Sequence, residues 1–134
     1  MALISFWDNE SNIKHIFHQF DEMLIVGKEM FAKSSDSIFN PPANMEALGK
    51  ELNQLDSKIN ELHQLVRRDI ITHISVHGTE DILPCFLLIT LIKDAERLGD
   101  YTKNIQEIAE RCPSIKDDPL AGKLKTMQEN ILVW

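Results

Sequence analysis

The chain has 134 residues, 43% of them apolar and 26% charged, with 21 acidic against 14 basic side chains and a formal charge of −7. That size and balance suit a single folded domain with its own core and exclude a disordered or fibrous chain. The negative field disfavours a nucleic-acid backbone as a ligand, so any link to gene regulation is indirect.

Ile13, Phe17, Phe20, Leu24 and Phe31, with Gly27 in the same row, recur at steps of three and four. That period predicts a first helix over roughly residues 9 to 39. Asn40-Pro41-Pro42 ends it, because proline lacks an N–H and pushes the preceding residue out of the helical region. Asn44 is placed to cap a second helix whose seam is Leu48, Leu52, Leu55, Ile59, Leu62, Val66 and His73, with Asp69 in the remaining slot. His77-Gly78 closes it, since glycine tolerates a positive φ.

Thr79 or Asp81 is expected to cap a third helix, with Pro84 in or just after its first turn and the pattern running to about Arg111. Its apolar stripe reads Ile82, Phe86, Ile89 and Ile92, and turns polar at Glu96. Asp118-Pro119 predicts the cap and first position of a fourth helix, with Leu120, Leu124, Met127, Ile131 and Trp134 on one stripe. That stripe has no stop signal and predicts either a longer pattern or packing on another subunit. Long helices joined by very short loops predict an all-α, antiparallel, up-down-up bundle of three long helices plus a shorter fourth. Residues 1–112 are expected to form the bundle, and 113–134 a linker with helix four.

The longest apolar run, Ile82 to Ile92, is about half the roughly 20 residues a membrane span needs, and reads as a buried helix face. The N-terminal MALISFWDNE has no basic region and does not read as a signal peptide. Cys85 and Cys112 lack the spacing of a disulfide framework or a zinc site, which suits a reducing cytoplasm, and Cys85 reads as a small core residue. His15/His18 and His73/His77 have metal-compatible spacing but no third ligand, and read as amphipathic edges. A ferritin-like di-iron site is disfavoured because no histidine follows a Glu-x-x spacing. No serine-hydrolase elbow, Walker loop or Cys/His pairing suggests an enzyme.

The informative constellation lies in the third helix. Glu96 and Asp100 are one turn apart and Asn104 one turn further, so three oxygen-bearing side chains share a face. Two carboxylates so spaced can chelate a hard cation. If the second and third helices fold back around Gly78, residues whose numbers sum to about 156 lie level, which sets Asp56 against Asp100 and Asn60 against Glu96. Asp56, Asn60, His63 and Arg67 form a polar row beside the seam. The other reading of these acids is a solvated face partnered by Arg97 or Lys103.

The run Lys93-Asp94-Ala95-Glu96-Arg97-Leu98-Gly99-Asp100-Tyr101-Thr102-Lys103-Asn104-Ile105 resembles the signature helix of the PhoU family, and Asp56-Ser57-Lys58-Ile59-Asn60-Glu61-Leu62 is similar to that family's earlier helix. The resemblance covers roughly residues 10 to 112, one three-helix repeat, and implies that helix four begins a second, incomplete one. The chain is then expected to be a fragment, or to form a homodimer that supplies the missing half. It further implies a cytoplasmic negative regulator of phosphate uptake and phosphate-responsive signalling, acting on a membrane phosphate transporter and a sensor histidine kinase, without membrane insertion. By resemblance the metal positions are Glu96 and Asp100, with Asp56 and Asn60 opposite and Asn104 and His63 as additional candidates, for a divalent or trivalent ion such as iron, zinc or magnesium. Asn60 stands where the family pattern has a carboxylate and is a weaker ligand. The alternative is a helical interaction module of a phosphate-transport system with no metal role; a metal-dependent hydrolase is third.

Overall fold

A computed structural model of the chain describes residues 11–112 and 114–133, with side chains from Ile13 onward. The predicted helical residues 9 and 10, the N-terminal segment read for a signal peptide, and Pro113 and Trp134 lie outside the described residues. Four helices follow in order: α1 (Ser11–Phe39), α2 (Met45–His77), α3 (Ile82–Arg111) and α4 (Ala121–Leu132). The first three pack mutually, α1 against both others, and α4 returns onto α1. At 1.5 Å per residue, α2 and α3 are roughly 50 and 45 Å long.

The ends form for local reasons. Asn44 Oδ1 accepts the Ala47 N–H at 3.0 Å and starts α2. Gly78, at φ 74°, closes α2 by donating its N–H to the Ile74 carbonyl at 2.8 Å, in a conformation that any Cβ would strain. Asp81 occupies the cap position of α3 but makes no side-chain cap bond. Its carboxylate is instead 2.8 Å from Nε2 of His73, whose side chain is almost fully buried and needs a polar partner.

The core runs through Ile13, Ile16, Met23, Val26 and Met30 of α1, Leu52, Ile59, Leu62, Val66 and Ile70 of α2, and Cys85, Leu88, Ile92 and Ala95 of α3. Burying each of the larger side chains contributes roughly 1.5–3 kcal/mol. The α2 seam lies where the period places it, except that Ile70 and not Asp69 fills the slot before His73. Asp69 turns aside to accept from Nε2 of the buried Gln19 at 2.9 Å.

Two stripes, those of α1 and α3, are displaced from their predicted rows. On α1 Ile13 and Gly27 are buried as predicted, but the other innermost positions are Ile16, Met23, Val26 and Met30, while Phe17, Phe20 and Leu24 pack at the margin. On α3 Phe86 is 72% exposed, and the buried row is Cys85, Leu88, Ile92, Ala95, Gly99, Thr102, Gln106 and Ala109. That row does not turn polar at Glu96; it continues in mostly small residues, which lets the helices stay close. On α4 Leu120, Leu124, Met127 and Ile131 face outward, and the helix is anchored by Ala121 and by Gln128, whose Nε2 donates to Ser35 Oγ at 2.7 Å. Asp118 caps a preceding turn, accepting the Leu120 N–H at 2.8 Å, so α4 begins only at Ala121.

Candidate functional site

The antiparallel register of α2 and α3 brings the polar rows together near their middles. Gly99 packs tightly against α2: a Cβ there would meet Asp56 Oδ1 at 3.3 Å and the Ile59 side chain at 3.4 Å. The missing side chain lets the Asp56 carboxylate settle against the α3 backbone, with only 14% of that side chain exposed.

Asp56 is held there by a cation from its own chain. Lys103 Nζ donates to Asp56 Oδ2 at 2.8 Å. The ammonium also feels Asp100, three residues before it, and Glu107, four after it. Its hydrogen bond to Asp56, joined by the charges of Asp56, Asp100 and Glu107, holds its pKa above the ordinary 10.5 against the opposing effect of burial. Two turns along, His63 Nδ1 lies 3.4 Å from Glu96 Oε2, with the imidazole side chain 15% and the carboxylate side chain 34% exposed.

Of the six residues singled out from the sequence, the structure pairs His63 with Glu96 and seats Asp56 against Gly99 and Lys103, at the level of Asp100. Asn60 is half-buried beside them, and Asp100 and Asn104 are exposed. Among the described residues no three His, Cys, Asp or Glu side chains are grouped to hold a metal ion. A cation binding at Asp56 would have to displace the Lys103 ammonium from its carboxylate. Lys103 is the residue the metal reading passed over. Its signal was present: its spacing from Asp100 and Glu107, and its number, which sums with Asp56 close to the folding-back register.

Replacing Lys103 by Met should cost about 1–2 kcal/mol by leaving a mostly buried carboxylate without its partner. Because the lysine pKa is raised on folding, this increment is fully present below the ordinary value of 10.5 and fades as pH rises through the raised one. Urea midpoints of wild type and Lys103→Met should therefore differ at about pH 8, and the difference should shrink as the pH climbs through the raised lysine pKa.

The histidine pairs have structural partners. His73 stacks on His77 with ring centroids 4.5 Å apart and faces Asp81, and His15 joins Gln19 and Asp69. Cys85 is fully buried, and burial, then the Asp81 charge, pushes its thiol pKa up, against any nucleophilic role.

The site is thus an interhelical polar cluster, closed by its own ion pairs, in a bundle of three long helices. The PhoU domain model matches residues 20–109, from the first turns of α1 almost to the end of α3, and the chain belongs to the PhoU family, a non-enzymatic family of phosphate-related regulators. No curated protein and no solved structure matches the chain. No helix among the described residues is long and apolar enough to cross a membrane.

Proposed function

We propose that this chain is a cytoplasmic adaptor in phosphate homeostasis that restrains phosphate uptake and phosphate-responsive two-component signalling through contacts with a membrane phosphate transporter and a sensor histidine kinase. The observation that carries the reading is the PhoU domain over residues 20–109, laid on a bundle whose mid-helix cluster is closed by Lys103. Contacts between proteins require only a rigid, shaped surface, and three long, mutually packed helices supply one. Metal binding by Glu96, Asp100, Asp56 and Asn60 would require the Lys103 ammonium to leave Asp56, so the adaptor role is assigned without it.

Phosphate uptake in cells lacking the gene tests the reading. Uptake under phosphate-replete conditions should rise several-fold on deletion and return to the parental rate on complementation with the wild-type chain. Complementation by Glu96→Ala/Asp100→Ala should succeed equally; failure there would return those carboxylates to a metal role. Uptake unchanged by deletion would overturn the adaptor reading.

A further inference from the structure

Two apolar stripes border one cavity. The cavity, about 190 Å³, is lined by Leu24 and Phe31 of α1, Leu98, Tyr101 and Ile105 of α3, and Ile131 of α4 among others. From it the α3 stripe continues at steps of three and four to Ile108, and the α4 stripe runs back through Met127 and Leu124 to Leu120. Leu98, Tyr101 and Ile108 are 46%, 58% and 55% exposed, and Leu120, Leu124, Met127 and Ile131 are 58%, 43%, 59% and 44% exposed. Together they leave two exposed apolar rows on either side of the cavity, and exposed apolar patches larger than a few hundred Å² mark interaction sites.

The margin of this strip is positive although the chain is acidic. In the row outside the α3 stripe, Arg97 stands one turn before Tyr101, with Asn104 and Arg111 on either side of Ile108. In the corresponding row of α4, Lys123 and Asn130 flank Met127. Arg97, Arg111 and Lys123 are all exposed, with the carboxylates Asp94 and Asp100 in the adjoining positions of α3. Arg97 touches Asp94 of the neighbouring row at 3.7 Å, a contact between two side chains at least 60% exposed that an incoming carboxylate can replace. A second copy docking through the same strip would bring like charges together. A flat bilayer would leave the cavity unfilled, whereas one Leu or Phe of a helix fills it.

We propose that this strip docks an amphipathic helix of a partner protein, with Asp or Glu flanking its apolar face and one apolar side chain seated in the cavity. The inference rests on the adaptor reading and names the chemistry of the partner segment. Selection by charge is what separates such a site from indiscriminate apolar adhesion.

The test uses the full chain and two labelled synthetic helical peptides about 18 residues long that share a Leu face, one with Glu at the flanking positions and one with Lys. By fluorescence anisotropy, the Glu peptide should bind at least about tenfold tighter than the Lys peptide. Arg97→Glu/Lys123→Glu should reverse the preference, and Leu98→Asp should weaken both, with circular dichroism confirming that each variant stays helical. Equal affinity for the two peptides, or binding of neither, would overturn the proposal. Sedimentation showing a dimer that Leu98→Asp dissociates would assign the strip to a second copy. Binding to phosphatidylglycerol vesicles that is lost in Arg97→Glu/Lys123→Glu would assign it to a membrane, and either result overturns the partner-helix proposal. Uptake in the deletion strain separates the two readings: derepressed uptake with no peptide binding removes only the docking site, and peptide binding with unchanged uptake removes only the phosphate role.

Discussion

Ile92→Ala is expected to lower the stability of the folded chain by about 2–5 kcal/mol, whereas Phe86→Ala should change it by no more than about 0.5 kcal/mol. Ile92 is 0% exposed in the core between the three long helices, so truncation leaves a cavity that packed neighbours only partly fill. Phe86 sits six residues earlier on the same helix, yet is 72% exposed and outside the core cluster. A helical rotation of α3 by one residue position would bring the two costs much closer. Urea denaturation of both variants, with slopes compared to confirm that the unfolded state is unchanged, separates the two arrangements.

Gly99→Val should cost about 1–3 kcal/mol, despite replacing a residue that weakens isolated helices. A Cβ alone would press on Asp56 Oδ1 at 3.3 Å and on the Ile59 side chain at 3.4 Å, and the two methyl groups beyond it must push α2 away or displace the carboxylate. Displacing Asp56 also breaks its 2.8 Å bond to Lys103. The variant should therefore lose the increment that Lys103 provides below its pKa, and with it the decline of stability at alkaline pH, in addition to its overall loss. A Gly99→Val protein as stable as wild type, with an unchanged pH profile, would show that close approach at this level is not required.

The helix count, the turns and the register were legible because each depends on strong local signals. The two prolines after Asn40, the glycine at 78 with its positive φ, and the heptad of α2 each admit one arrangement. The register arithmetic was good to about one helical turn: Asp56 meets Lys103 and His63 meets Glu96, each pair summing near the expected value. The faces of α1 and α3 were not legible in the same way. Both helices carry two adjacent apolar rows, and periodicity cannot tell which points inward when the sequence is apolar on more than one side. The second half of the α3 core was hidden for a different reason: Ala95, Gly99, Thr102 and Ala109 are small and so do not read as a hydrophobic seam, although their size is what closes the helix pair.

At the candidate site, the sequence displayed the acids and offered Lys103 as one possible partner, without deciding between it and a metal ion. Carboxylates at four-residue spacing look alike whether they hold a metal ion or a lysine. The difference is a three-dimensional fact about Lys103, which lies between Asp100 and Glu107 along α3 and reaches across to Asp56 on α2. Helix four carried a comparable ambiguity. Its apolar stripe predicts a covered face, and in the folded chain that face points outward beside an apolar cavity, with Gln128 and Ala121 anchoring the opposite side.

Metal content and chelator response, measured together, bear most directly on the claim that Lys103 supplies the cation of the acidic cluster. Protein purified without chelator should contain no transition metal near stoichiometry, and its thermal midpoint should be the same with and without EDTA. Near-stoichiometric iron, zinc or another divalent ion, together with a midpoint lowered by EDTA in wild type but not in Glu96→Ala, would contradict it.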